Sequence, residues 1–120
     1  MKLTVVTIGH RLPDWAQTAC DDYLKRFPPD WKVEVKALKA EPREGKPVSV
    51  IMQTEAARME AAMDRGVRRI ILDERGSRLT SVQLAERTEV WLNDGRDVVF
   101  IIGGADGIDP ELKKTADEAI

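Results

Sequence analysis

Three short loops that follow apolar segments carry the residue types from which a binding or catalytic site is built. They are residues 9–11 (Gly-His-Arg), 72–76 (Leu-Asp-Glu-Arg-Gly) and 103–107 (Gly-Gly-Ala-Asp-Gly). Glycine lets a ligand approach the backbone, and open parallel sheets bind ligands beyond the carboxyl ends of their strands. The spacing matches neither the GxGxxG fingerprint nor the lysine-bearing phosphate loop, so a dinucleotide or nucleoside-triphosphate site is not indicated. By pattern alone, 103–107 is more simply a tight turn.

Single side chains at and near these loops leave alternatives open. Asp73 and Asp106 stand at strand ends, where a carboxylate holds a ribose hydroxyl or an amine, or equally serves turn and cap chemistry. His10 is interpreted as a loop histidine rather than a general base or an RNA contact, so no catalytic residue is assigned. Cys20 is interpreted as a small core residue rather than a nucleophile, because it lies on an apolar helical stripe.

Basic side chains between residues 36 and 46 are candidates for phosphate contacts. A solvated strand and loop is the commoner explanation for such a set, because charged side chains usually face water. The residues are Lys36, Lys39, Arg43 and Lys46.

Composition limits the class of protein. The chain has 120 residues with 42% hydrophobic and 33% charged side chains, which predicts one domain with its own core. The net charge of −2 argues against holding nucleic acid by bulk charge alone. One cysteine and one histidine exclude a disulfide framework and leave no metal-ligand constellation. Without a membrane-length apolar run or a signal peptide, the chain is predicted to be soluble and cytoplasmic.

Short apolar segments alternate with helical patterns, which predicts an α/β fold with helices around a largely parallel sheet. The Trp31–Ala37 segment alternates apolar and charged residues, so it is predicted to lie near a sheet edge. Thr80 and Gln83 match a capping box at the start of a helix. The predicted strands cover residues 3–8, 31–37, 69–73 and 97–102, and the predicted helices begin near residues 13, 48, 80 and 109.

Two helical stripes carry specific packing predictions. In the first helix, apolar residues recur every fourth position from Trp15 to Phe27, and Trp15 and Trp91 are interpreted as core or dimer contacts. The last helix is predicted to start at Asp109-Pro110 and to continue along Leu112, Ala116 and Ile120 to the end of the chain. The sequence therefore predicts a chain that ends within a helix.

Several segments taken together closely resemble the RlmH family, SPOUT-class methyltransferases of the bacterial large ribosomal subunit. The resemblance runs in register over essentially all 120 residues. The segments that carry it are residues 1–3 (MKL), 12–15 (LPDW), 23–28 (YLKRFP), 72–73 (LD) and 94–107 (DGRD through GGADG).

The resemblance implies a homodimeric α/β fold with a C-terminal trefoil knot. It implies transfer of a methyl group from S-adenosylmethionine to N3 of a pseudouridine in 23S ribosomal RNA of the assembled ribosome. Family members hold the cofactor at strand ends that match Leu72, Asp73, Gly103 and Gly104 here. The two loops are therefore expected to form one cofactor pocket, with no metal involved.

The family pattern continues for a few dozen residues beyond Ile120. That part carries the last cofactor loop, the strand and helix that complete the knot, and basic and aromatic residues near the target base. We therefore expect this chain to be unknotted. The alternative hypothesis is a catalytically inactive α/β module of the same lineage with a partial cofactor site, and a third is a generic nucleotide-binding domain.

Overall fold

A five-stranded parallel sheet organises the computed structural model, which describes residues 1–9 and 11–120. The strand order is β2-β1-β4-β3-β5, and every pair of neighbours is parallel. The predicted α/β class is confirmed, and β2 lies at a sheet edge as its alternating pattern predicts. In chain order the elements are β1 (Lys2–Ile8), α1 (Asp14–Leu24), β2 (Lys32–Leu38), α2 (Val48–Ala61), β3 (Arg68–Leu72), α3 (Ser81–Asp94), β4 (Val98–Ile102), α4 (Pro110–Lys113) and β5 (Glu118–Ala119).

The sheet buries apolar side chains on both faces, which explains why its central strands are nearly continuous apolar runs. Helices α2 and α4 cover one face, where Met59 and Leu112 pack in a cluster that includes Ile71 and Ile101. Helix α3 covers part of the other face through Trp91, whose ring meets Phe100 edge-on at 5.7 Å. The helices after β3 and after β4 therefore lie on opposite faces of the sheet.

The predicted helix caps are confirmed at α3 and α4. The Thr80 hydroxyl accepts from the Gln83 N–H at 3.1 Å, and the Gln83 side chain accepts from the Thr80 N–H at 2.8 Å. The Asp109 carboxylate accepts from the N–H groups of Glu111 and Leu112. Each cap satisfies backbone donors that the first helical turn leaves free.

The prediction of a helix running to Ile120 is wrong. Helix α4 has only four residues, and the chain then pairs with β3 as the short strand β5. The Asp117 N–H donates to the Arg69 carbonyl at 2.8 Å, and the Ile120 N–H donates to the Ile71 carbonyl at 2.9 Å. The free edge of β3 offers a ladder of backbone partners, and those long-range hydrogen bonds outweigh a three-residue apolar repeat.

The prediction that the α1 stripe, including Cys20, belongs to the core is also wrong. None of the eleven residues of α1, all of which the structure describes, is buried. Trp15 is 76% exposed, Tyr23 is 63% exposed, and the Cys20 residue is exposed as well. In α3, Trp91 is buried, which confirms its interpretation as a core residue, whereas for Trp15 the dimer contact stays a prediction. Periodicity identifies an apolar face but does not say what covers it.

The ion pair between Arg69 and Glu60 makes the stability of the fold depend on pH in the acid range. Arg69 donates two hydrogen bonds to the Glu60 carboxylate, at 2.6 and 2.7 Å. These bonds hold the pKa of the Glu60 carboxyl below its ordinary value of 4.5, against a smaller opposing effect of burial. A lowered folded-state pKa stabilises the native state fully above the unfolded pKa, and this stabilisation is lost as the pH falls through the folded value.

We expect Glu60→Gln to lower the free energy of unfolding at pH 7 by up to about 1 kcal/mol, because the pair is partly exposed. The difference from the unsubstituted protein should shrink as the pH falls below about 4.5. Urea denaturation at pH 7 and pH 3 checks this, with the exposed Glu111→Gln as the control. A difference that stays constant across this pH interval would contradict the assignment.

No helix within the described parts of the chain, residues 1–9 and 11–120, combines the length and the apolar character needed to span a bilayer.

Candidate functional site

A cleft opens at the carboxyl ends of β3 and β4. These strands are parallel neighbours, with Leu72 opposite Ile102, so the loops that follow them start side by side. One loop leads to α3 and the other to α4, on opposite faces of the sheet, and this divergence creates a crevice where such sheets bind ligands. The cavity has a volume of about 510 Å³.

Both predicted strand ends line this one cleft. Leu72 and Asp73 contribute from the loop after β3, and Gly103 and Gly104 contribute from the turn after β4. The predicted juxtaposition of the two loops is therefore confirmed, while the assignment of these residues to a cofactor remains a prediction. His10 lies outside the described residues.

The turn at 103–107 is folded tightly on itself. The Gly107 N–H donates to the Gly104 carbonyl at 3.0 Å, and Gly107 has a φ of +88°, a conformation that favours glycine. A Cβ on Gly103 would lie 2.7 Å from the Ile108 side chain and 2.8 Å from the Gly107 carbonyl carbon. Glycine at 103 is therefore required by the backbone of the turn itself.

The loop after β3, which forms the other wall of the cleft, packs against Ile120. The Asp73 N–H donates to the Ile120 carbonyl at 3.0 Å, and a Cβ on Gly76 would lie 2.3 Å from the Ile120 backbone. Lys113 of α4 reaches the Asp73 carboxylate at 3.4 Å. This contact joins the two walls, because Asp73 follows β3 and Lys113 lies beyond the glycine turn.

The charge of the cleft is slightly negative. Three of its lining residues are acidic and two are basic, an excess of one negative charge. The acidic residues are Asp73, Glu74 and Asp106, and the basic residues are Arg75 and Lys113. A ligand with a localised positive charge and an anionic group fits this mixture better than a polyphosphate does, since several like charges would repel.

The loop between β2 and α2 contributes to the site, although no sequence motif in it predicts this contact. Arg43 donates to both carboxylate oxygens of Asp106, at 2.6 and 2.7 Å, so the loop touches the glycine turn directly. These hydrogen bonds raise the pKa of Arg43 further above its usual value. Arg43 and Lys46 are exposed, as the prediction of a solvated loop expects, and each also pairs with a carboxylate.

The same loop is anchored to α2. Glu41 pairs with Lys46 and with Arg58, and hydrogen bonds from those two side chains lower the pKa of Glu41 while burial opposes them. The backbone N–H of Glu41 donates to Glu55 at 3.1 Å. Glu55 is only 4% exposed, and its position on the apolar face of α2, four residues before Met59, is the sequence signal that was available for it.

No metal centre is found in the part of the chain that the structure describes, where no group of three His, Cys, Asp or Glu side chains is placed to hold an ion. The described residues also offer no side chain to which we assign the role of catalytic base.

An open parallel sheet with a cleft at its switch point is the α/β architecture in which small molecules are usually bound at the carboxyl ends of the strands. Residues 1–120 match a family model described as "Predicted SPOUT methyltransferase". The chain belongs to the SPOUT methyltransferase family, and its relatives place it in the RlmH group.

The curated relatives are close. The chain is 60% identical to ribosomal RNA large subunit methyltransferase H of Methylibium petroleiphilum, with 100% of this chain and 78% of the relative covered. It is 54% identical to the protein of that name from Leptothrix cholodnii, again over 78% of the relative. It is 53% identical to the one from Delftia acidovorans, over 77% of that relative.

Proposed function

We propose that this protein is a ribosomal RNA methyltransferase that uses S-adenosylmethionine to methylate N3 of a pseudouridine in 23S ribosomal RNA. The observation that carries the proposal is the single cleft formed by Leu72, Asp73, Gly103 and Gly104 at adjacent strand ends. Family membership supports a methyl-transfer reaction, and the names of the relatives support large-subunit RNA as the substrate.

The cleft fits the proposed cofactor. Its volume of about 510 Å³ lies within the range of roughly 300–1,000 Å³ for small-molecule sites. The sulfonium and ammonium groups of S-adenosylmethionine would meet the carboxylates of Asp73 and Glu74 in the lining, and its carboxylate would meet Arg75 or Lys113. The backbone of the glycine turn is exposed to the cleft without side chains at 103 and 104, which suits close contact with a flat base.

The four predicted residues and Lys113 have proposed roles. Leu72 is exposed and offers apolar surface to the adenine ring. The backbone at Gly103 and Gly104 offers hydrogen-bonding groups beside it. Asp73 accepts hydrogen bonds from ribose hydroxyls or from the ammonium group, and Lys113 attracts the carboxylate. When bound, the cofactor supplies an electrophilic methyl carbon on a sulfonium sulfur.

The described residues of the cleft would bind and orient the reactants. N3 of pseudouridine loses its proton to solvent when it is methylated, and alignment of that nitrogen with the methyl carbon is worth several powers of ten in rate. The near-neutral charge of the chain indicates recognition by shape on the assembled large subunit rather than by a basic surface.

We propose further that the protein works as a homodimer in the cytoplasm. The exposed aromatic residues of α1, Trp15 and Tyr23, form apolar surface of the kind that monomeric proteins rarely leave uncovered. Sedimentation equilibrium at micromolar concentration should give twice the chain mass. A monomer under these conditions would contradict the dimer proposal.

The test of function uses ribosomes from a strain that lacks the modification. We expect a labelled methyl group from S-adenosylmethionine to enter 23S RNA and to cause a stop in reverse transcription at one pseudouridine, because an N3 methyl blocks Watson–Crick pairing. Ribosomes with uridine at that position are the control and should accept little label. Binding of S-adenosylmethionine without transfer would favour the inactive-module hypothesis, and preference for ATP would favour a generic nucleotide-binding domain.

A further inference from the structure

We propose that Arg43 is a positioning residue for the cleft and that its pair with Asp106 holds the 103–107 turn in the conformation that accepts the cofactor. The inference rests on the proposed function only for the identity of the ligand. It assigns a role to the loop between β2 and α2, which lies outside both predicted strand ends.

The Arg43–Asp106 pair is a bidentate salt bridge. Arg43 donates from two nitrogens to the two oxygens of Asp106, and the residues are 63 positions apart in the chain. A bidentate guanidinium–carboxylate pair sets orientation as well as distance. The Asp106 side chain is 13% exposed while that of Arg43 is 55% exposed, so the carboxylate is the more shielded partner.

The 103–107 turn needs an external restraint because it is rich in glycine. Three of its five residues are glycine, and glycine retains more backbone freedom than any other residue when it is not held. Within the turn, the hydrogen bond between Gly104 and Gly107 closes the backbone. The Arg43 contact adds a restraint from outside the turn at Asp106, the one residue of the turn that has a polar side chain.

The loop that carries Arg43 is itself held, so it can act as an anchor. Glu41 pairs with Lys46 and Arg58, and its N–H donates to the buried Glu55. The second oxygen of Glu55 lies 2.8 Å from the position that a Cβ on Gly104 would take. The loop and the glycine turn therefore meet at two places, the exposed Arg43–Asp106 pair and the buried Glu55 carboxylate.

The Arg43 contact also gives the two aspartates at the strand ends, Asp73 and Asp106, different roles. Both oxygens of Asp106 accept from Arg43, so Asp106 acts on the turn rather than on the ligand. Asp73 has one longer contact, 3.4 Å to Lys113, and keeps acceptor capacity toward the cleft. Asp73 is thus the carboxylate that faces the ligand.

The first test is amide hydrogen exchange in the absence of ligand. In Arg43→Met, the amides of residues 104–107 should exchange about tenfold faster, because local opening becomes easier. Arg26→Met is the matched control, since Arg26 pairs with Asp22 on the exposed surface of α1 and should leave the turn unchanged.

The second test is calorimetry and kinetics with S-adenosylmethionine. Arg43→Met should weaken binding about tenfold and leave kcat at saturating cofactor unchanged, while Arg43→Lys, which keeps the charge but loses the fork, should fall between. Asp106→Asn should resemble Arg43→Met, and the double variant should be no worse than either, because the two residues act as one unit.

The outcomes are distinguishable. Unchanged exchange at 104–107 in Arg43→Met would overturn the restraint of the turn. Faster exchange with unchanged affinity would overturn the positioning role. Absence of S-adenosylmethionine binding by the unsubstituted protein would overturn the proposed function and, with it, the role of Arg43 toward that ligand. Hydrogen exchange at residues 104–107 would still show whether the Arg43–Asp106 pair restrains the turn.

Discussion

Replacing Trp91 with alanine should lower the free energy of unfolding by about 3–5 kcal/mol. Trp91 is 1% exposed and lies in the cluster formed by Leu3, Ile70 and Val98. It is the only buried residue of α3, so it attaches that helix to the sheet. The size of the effect follows from the lost apolar burial and from the cavity left beneath the helix.

A second variant separates the ring from its polar group. The indole N–H of Trp91 donates to Glu118 of β5 at 2.7 Å, and Arg87 donates to the other oxygen of that carboxylate. Trp91→Phe should therefore lose less, about 1–3 kcal/mol, since most of the ring remains and Arg87 still pairs with Glu118.

Urea denaturation measures these differences, with Val82→Ala in the same helix as the control. Val82 is 68% exposed, so its truncation should change the free energy of unfolding by no more than about 0.5 kcal/mol. Equal losses for Val82→Ala and Trp91→Ala would show that the packing of α3 on the sheet is not as described.

Replacing Gly103 with alanine should weaken binding of S-adenosylmethionine by at least about tenfold, a loss of 1.4 kcal/mol or more. The added Cβ would meet the backbone of Gly107 at 2.8 Å, and a backbone atom cannot move aside without shifting the whole turn. The same shift should lower the free energy of unfolding by about 1–3 kcal/mol. Isothermal calorimetry of the folded variant provides the measurement.

The control must be a glycine substitution that destabilises without touching the cleft. Gly95 follows α3 with a φ of +83°, so Gly95→Ala should cost about 1–2 kcal/mol of stability through backbone strain alone. Its affinity for S-adenosylmethionine should equal that of the unsubstituted protein. If both glycine variants weakened binding alike, general instability rather than the cleft would be the cause.

The two strand ends of the cleft were predictable because their signals are local. Residues 70–72 and 98–102 are apolar runs that end in glycine-containing loops, and parallel strands place such ends at one edge of a sheet. The Thr80–Gln83 capping box was predictable for the same reason, since its partners are three residues apart. Short spacing makes these features visible in the order of residues.

The two wrong predictions concern the segment after Asp109 and the apolar stripe of α1, whose surroundings are not visible in neighbouring residues. The apolar spacing after Asp109 is that of a helix, yet the end of the chain pairs with β3, whose partner residues lie about fifty positions earlier. The α1 stripe has an apolar face that the described residues of this chain do not cover. For the end of the chain, the deciding contact is with a distant strand, which residue order does not reveal.

By itself, the amino-acid sequence determined the alternation of strands and helices, the positions of the glycine turns, the caps and the resemblance to the RlmH family, because periodicity, capping and segment similarity are properties of neighbouring residues. Only the tertiary structure decided that the loop carrying Arg43 closes on Asp106, that Glu55 is buried beside Gly104, and that the chain ends as β5. These depend on contacts between residues far apart in the chain, which form only where the folded sheet brings their backbones within hydrogen-bonding distance.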